Sequence, residues 1–496
     1  MHESEAIADC IDQWLGNRFL RLFLKKITKR CPECGRRAEN SIEAYATGNH
    51  KKLCFGCLAA SVVTSKALDI IIRRSGVSSE LAQEYFGKSL WRKGLASVLE
   101  GIAEFGPEKP FTAYAPFLVV WNITRACNLR CRHCYEFAEK AGPDEMGTAQ
   151  ALATVDAMED AGVAYIAISG GEPLMRKDLF TISDRIKEKG MGFSIATNGT
   201  LLTRENVKKL VDADCLYAQV SLDGSTAASH NWFRGMDSFE RTIAGIKNSV
   251  EGGLPVGISM TVTRHNYSEV PDAIDLAERL GASTFMHYNF IPTGRGKNIS
   301  DLDITPLQRE QLLTFMAKRA GKRKISLLST APQYGRVCAE NESLVMAMTH
   351  FGCTDAEMDG SIRFLAEFIG GCGTGRLYCA MEPNGDIKPC VFIPEILGNI
   401  QEENLLDIWH HSEYLKKLRR REDFKGNCGS CENRNICGGC RARALAYSGD
   451  IQASDPGCVR NGAIFTGRGC AGMRGRTGSS LQKPAEPRTA FPNPAS

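Results

Sequence analysis

The sequence lacks any apolar run near the roughly 18 residues that a membrane-spanning helix requires, so no helical span is expected. It lacks an apolar leader, since Met1 to Asp12 is polar and acidic, so no signal peptide is expected. It also lacks an excess of one charge. Lysine and arginine number 61 against 57 acidic residues, a net +4, which argues against nucleic acid or an acidic partner. Cysteine, by contrast, is plentiful. Twenty thiols, most of them in short spaced motifs, read as metal ligands rather than disulfides. The 496 residues, 43% of them hydrophobic, suffice for two to four packed domains. These features together describe a cytoplasmic, oxygen-sensitive metalloprotein.

The stretch with most chemistry in it runs Cys127-Asn128-Leu129-Arg130-Cys131-Arg132-His133-Cys134. It follows a strand-like apolar run at 117–123. Three thiolates can hold three irons of a cubane cluster that normally takes four cysteines, leaving one iron open for a ligand. A zinc knuckle needs a fourth ligand close by, and His133 lies between two of the cysteines. His133 and Tyr135 flank the last cysteine as shields. The spacing resembles that of the radical S-adenosylmethionine (radical SAM) superfamily.

From residue 117 strand-like and helix-like runs alternate. Strands are expected at 117–124, 163–169, 193–197, 217–222, 256–262 and 284–289. Helices are expected at 148–161, 179–189, 204–213, 238–251 and 268–280. Six such units in sequence predict an α/β fold, a partial (β/α)6 barrel with parallel strands and right-handed crossovers. Ligands in such folds gather at the carboxyl ends of the strands.

Three further strand ends carry motifs. Gly170-Gly171-Glu172-Pro173 resembles the superfamily motif whose backbone holds the methionyl amino group of SAM. Asn198, in Thr197-Asn198-Gly199-Thr200, ends the third strand, although such a sequence also makes a plain turn. By resemblance Ser221 and Asp223 line the SAM pocket, and Arg241 pairs with the SAM carboxylate, a bidentate contact. A solvated helix arginine is the alternative for Arg241. The basic loop Pro292-Thr293-Gly294-Arg295-Gly296-Lys297 can meet an anionic substrate or be only a turn.

Before the barrel, Cys31-Pro32-Glu33-Cys34 and Cys54-Phe55-Gly56-Cys57 have the spacing of a four-cysteine zinc ribbon, and a rubredoxin-like iron site uses the same ligands. Two or three amphipathic helices are expected over 67–105. A helix over 11–29, basic with Trp14, Leu15, Phe19, Leu22, Phe23 and Ile27 on its apolar side, either packs on its own domain or meets a membrane surface.

After the barrel, Cys372, Cys379, Cys390, Cys428, Cys431, Cys437, Cys440 and Cys458 offer eight thiolates, enough for two fully ligated four-iron clusters. This array resembles the SPASM domain, except that two rather than three residues separate Cys437 from Cys440. The resemblance implies Cys372, Cys379, Cys390 and Cys440 around a first auxiliary [4Fe-4S] cluster, and Cys428, Cys431, Cys437 and Cys458 around a second. Cys379 is the odd member: if it is a core cysteine, the first cluster keeps an open iron. Cys215, Cys338 and Cys353 fit no motif. The expected organisation is a zinc-ribbon and helical domain at 1–110, a radical SAM core at 113–330, a bridging helical segment at 331–365, a SPASM domain at 366–467 and a disordered tail at 468–496.

The resemblance implies an enzyme that cleaves SAM to a 5′-deoxyadenosyl radical and abstracts hydrogen from an unactivated carbon, with a ferredoxin or flavodoxin as electron donor. Peptide or protein modification comes first among its substrates. Oxidative decarboxylation in a haem pathway comes second, because the closing cysteine segment resembles enzymes that act on iron-coproporphyrin. Carbon–carbon coupling on a lipid or hydrophobic metabolite comes third. Val391 after Cys390 stands where sulfatase-maturating relatives carry an aspartate base, which argues against their reaction. An iron–sulfur electron carrier without catalysis would leave the Gly170-Gly171-Glu172 motif unexplained.

Overall fold

A computed structural model describes residues 18–50, 53–75, 78–235, 237–341 and 362–464. The first half of the predicted 11–29 helix, Cys353 and the 468–496 tail lie outside these residues.

The centre is a parallel sheet. Strands β1 (Leu118–Asn122), β2 (Tyr165–Ser169), β3 (Gly192–Thr197), β4 (Ala218–Ser221), β5 (Val256–Val262) and β6 (Thr284–Asn289) pair in chain order, each parallel to the next. Helices Thr148–Ala161, Leu179–Glu188, Arg204–Asp212, Ser238–Glu251 and Val270–Arg279 make the crossovers. The strands turn an apolar face to the covering helices, while Ser194, Gln219, Ser221, Ser259 and Thr261 on the other face line the barrel interior. Ile166, Ile168, Ile195, Val220, Ile258 and Met260 are fully buried. Local chemistry sets the helix starts. Thr203 accepts from Asn206 N at 3.1 Å, and Thr305 forms a capping box with Gln308 ahead of Pro306.

The sheet does not stop at six strands. β7 (Ser326–Ser329) adds parallel to β6, and β8 (Tyr378–Met381) adds parallel to β1 on the opposite edge. β8 turns through Asn384-Gly385, with Gly385 at φ 92°, into antiparallel β9 (Asp386–Lys388), and β10 (Gly398–Asn399) follows. The first part of the second cysteine array, around Cys379 and Cys390, thereby joins the barrel's own sheet. The physical reason is the edge of β1, whose free main-chain groups β8 satisfies.

In the N-terminal part, helices Arg37–Thr47, Phe55–Ser75, Ser79–Gly87 and Ser89–Phe105 enclose a small core of Ala38, Ile42, Tyr45, Leu68, Ile72, Ala82 and Ala96. This core docks on the closed end of the barrel, away from the strand carboxyl ends. Lys93 Nζ meets Glu159 at 2.8 Å, and Arg30 meets Asp160 at 3.2 Å. Gly162 admits the Arg36 guanidinium to a place where a Cβ would lie 1.8 Å from it. Helix Arg18–Thr28 leaves Leu22 and Phe23 exposed. Among the described residues no helix is long and apolar enough to cross a membrane.

Candidate functional site: the cysteine loop and two auxiliary cysteine sets

A cavity opens at the carboxyl ends of the strands. Cys127, Cys131 and Cys134 wall one side of it; Gly170, Gly171, Asn198 and Ser221 line its floor. The glycines seat the cysteine loop. Gly171 N donates to Thr124 O at 2.7 Å and Glu172 N to Ala126 O at 2.7 Å. A Cβ on Gly171 would lie 2.2 Å from Ala126 O, and Gly170 has φ 128°. Arg295 closes the other side, with its Nε on Cys131 O at 2.9 Å and its N–H on Cys134 O at 2.8 Å. The predicted basic loop therefore clamps the cysteine loop as well as reaching the cavity.

Glu172 is fully buried and does not line the cavity. Its carboxylate accepts from Asn198 N at 2.8 Å, Thr197 Oγ1 at 2.8 Å and Leu174 N at 3.3 Å, tying the end of β2 to that of β3. Burial raises its pKa despite these donors. Asp223 is buried as well and turned from the cavity. It holds Arg234 at 2.6 Å and accepts from Thr261 N at 2.8 Å. Arg234 lines the cavity with Nη1 3.8 Å from Cys131 Sγ. Arg241, the arginine expected at the SAM carboxylate, is exposed on helix Ser238–Glu251 and does not reach the cavity. Sequence reasoning missed Arg234 because it lies on the short helix Ala227–Arg234, outside any motif; only its pairing with Asp223 places it.

The same cavity continues to Cys372, Cys390 and Cys440, so the first auxiliary set faces the loop across one space. Cys379 does not join them. It sits on β8 in register with Val119, fully buried in the apolar core, while its neighbour Tyr378 points to the cavity and donates to Cys390 Sγ at 3.2 Å. The side-chain alternation of a strand separates the two. The structure thus brings three of the four expected thiols together. A second cavity is lined by Cys428, Cys431, Cys437 and Cys458, the whole of the second set.

Two features test whether clusters fit these sites. At the loop, the buried Arg234 guanidinium faces Cys131 Sγ at 3.8 Å, a cation set against the thiols. Near the auxiliary sets, Arg376, Arg421 and Arg441 are almost completely buried yet bonded only to main-chain carbonyls, with no ion pair among the described residues. Arg441 Nη2 is buried with no hydrogen-bond partner among the described residues. Buried guanidiniums require a counter-charge, and an anionic thiolate-ligated cluster supplies one. The residues fit the groups.

At the N-terminal part, the sulfurs of Cys31, Cys34, Cys54 and Cys57 lie within 4.8 Å of one another, the one set of metal-ligand side chains among the described residues that converges on a single ion. Cys31 Sγ and Cys54 Sγ are 3.6 Å apart, close to the edge of a tetrahedron with about 2.3 Å metal–sulfur bonds.

The comparisons agree with this geometry. The sequence pattern of the Radical SAM superfamily matches residues 121–303, and that of an iron–sulfur cluster-binding domain, SPASM, matches residues 372–440. The chain is 36% identical over 351 residues to an AdoMet-dependent heme synthase of Methanosarcina barkeri, covering 70% of this chain and 97% of that protein. It is 30% identical to the mycofactocin maturase MftC of Mycobacterium ulcerans, covering 70% and 88%. In fold it is similar to Streptococcus suis SuiB bound to its precursor peptide SuiA, with a TM-score of 0.58 at 18% identity over 84% of this chain and 91% of that one. The chain belongs to the radical SAM superfamily, as an enzyme that uses S-adenosylmethionine and iron–sulfur clusters and carries the SPASM domain.

Proposed function

We propose that this enzyme acts on a carboxylate-bearing tetrapyrrole of the haem pathway, removing propionate carboxyl groups oxidatively. The observation that carries this reading is the charge of the cavity wall. It includes the guanidiniums of Arg234, Arg295 and Arg441 and no aspartate or glutamate. Arg295 is held by main-chain carbonyls without an ion pair among the described residues, so its charge is open to a substrate carboxylate. The likeness to AdoMet-dependent heme synthases supports it.

When bound at the cluster site, S-adenosylmethionine supplies a 5′-deoxyadenosyl radical that takes hydrogen from an unactivated carbon. The chain provides the rest. Cys127, Cys131 and Cys134 ligate, while Gly170, Gly171, Asn198 and Ser221 shape the floor for SAM. Asp223 orients Arg234, Arg295 braces the loop, and Tyr135 and Phe392, with ring centroids 5.0 Å apart, exclude water between the two cysteine sets. In this reading Cys372, Cys390 and Cys440 bind the first auxiliary cluster and Cys428, Cys431, Cys437 and Cys458 the second. Cys31, Cys34, Cys54 and Cys57 hold structural zinc, since four thiolates leave no open position. A ferredoxin or flavodoxin is the electron donor in this reading.

The test is anaerobic turnover of the reconstituted enzyme with SAM, dithionite and iron-coproporphyrin deuterated on its propionate chains. Deuterium in 5′-deoxyadenosine together with released carbon dioxide is expected. SAM cleavage without transfer from the tetrapyrrole overturns the reading. A second reading, peptide modification, is favoured by the mycofactocin maturase likeness, and transfer from a peptide instead would select it.

A further inference from the structure

The two auxiliary cysteine sets meet at one buried residue. Asp455 has no exposed surface. Its Oδ2 accepts from Cys440 N at 2.8 Å and Gln333 Nε2 at 2.7 Å; its Oδ1 accepts from Gly457 N at 2.8 Å and Arg443 Nε at 3.3 Å. Its own N–H points at Cys428 Sγ, 3.4 Å away. One residue thus touches Cys440 of the first set and Cys428 of the second. Between them runs Gly439, with φ 63°. A Cβ there would lie 2.9 Å from Asp455 Cβ and 3.0 Å from Cys428 Sγ. Only a glycine lets the segment pass this closely. Four donors, one of them a guanidinium, keep the carboxylate charged within a dry interior.

We propose that Asp455 couples the two auxiliary centres as a positioning residue, fixing the Gly439-Cys440 segment between them and setting both reduction potentials through its charge. The inference rests on reading these cysteines as cluster ligands. A fixed negative charge beside a cluster disfavours the added electron, and burial and hydrogen bonds to sulfur tune potentials in the same way. Since Asp455 reaches both sets, changes in it act on both centres together.

The test is a redox titration followed by electron paramagnetic resonance on the reconstituted full chain, with iron counted first. Wild type holding only the SAM-cluster iron would overturn the ligand reading itself, and this inference with it. With auxiliary iron present, Asp455→Asn is expected to shift both auxiliary potentials upward and leave that of the SAM cluster in place. Gln333→Leu keeps the charge but removes a donor, so both should shift downward. Asp303→Asn is the control. Asp303 touches the same Arg443, Oδ2 to Nη2 at 2.8 Å, and is expected to move the potentials less than Asp455→Asn does. Should Asp455→Asn lose auxiliary iron, Gln333→Leu decides, and unmoved potentials there overturn the proposal. A shift confined to one auxiliary centre, or an equal shift from Asp303→Asn, overturns it as well.

Discussion

Asp223 Oδ2 accepts from Arg234 Nε at 2.6 Å, and this contact holds the Arg234 guanidinium beside the cysteine loop. Both residues are buried, and the pair turns the far side of the guanidinium toward Cys131 Sγ. A buried carboxylate gains by pairing with such a cation, and the cation is fixed in return. The same carboxylate lies 3.3 Å from His133 Nε2, so one aspartate orients two residues at the cavity wall.

Arg234→Gln is expected to reduce 5′-deoxyadenosine formation by about tenfold or more, the scale of one lost charge-assisted hydrogen bond. Arg241→Gln is expected to change nothing, since Arg241 is exposed and away from the cavity. Single-turnover SAM cleavage under dithionite, with iron content checked first, compares the two. Equal losses would remove Arg234 from its assigned place.

Cys379→Val is expected to leave iron content and the auxiliary spectra unchanged, because Cys379 packs in the core opposite Val119. The swap adds about one methylene of volume to a packed core, so a modest loss of stability is expected without loss of iron. Cys372→Ser, by contrast, should strip or distort the first auxiliary centre. Loss of about four irons from the Cys379 variant would return it to the ligand set.

Replacing Cys31 and Cys54 together by serine should release one metal ion per chain and loosen the N-terminal helices, while SAM cleavage persists at the far end of the barrel. Arg37 is charge-coupled to this site: the Cys57 and Cys31 sulfurs raise its pKa. X-ray absorption at the zinc edge on the full chain reports four sulfur neighbours if the assignment holds. An iron edge signal with the same geometry would make the site rubredoxin-like instead.

His287 gives the protein an acid-side weakness. Burial, with Arg309 nearby, lowers its pKa to about 3, against roughly 6.5 in an unfolded chain. Between these values the unfolded chain carries a proton that the folded one does not, so stability rises with pH through the window and is lost on acidification. The loss from pH 6.5 to 5.5 is about 1 kcal/mol. His287→Gln removes this titration, so its melting temperature should fall less over that interval. An unchanged pH slope would show that His287 is not the group responsible.

Much of this protein is legible in the sequence because its chemistry is local. The three loop cysteines, Gly170-Gly171-Glu172 and the paired CxxC motifs need only short spacings. β5, β6 and two helices, Thr148–Ala161 and Ser238–Glu251, have the boundaries their hydrophobic periods predict. Tertiary structure decided what depends on direction and on distant partners. Cys379 and Cys390 look alike in the sequence, yet strand alternation and the open edge of β1 bury the first in the core and bring the second to the cavity. Arg234 rather than Arg241 meets the loop because Asp223, eleven residues earlier in the chain, holds it there across a buried pair. Asp455 touches both auxiliary sets only because the chain folds back over Gly439, which no spacing rule encodes. Ligand type is written in short segments, whereas the face a side chain takes and the charge that steadies it are set by residues far apart in sequence.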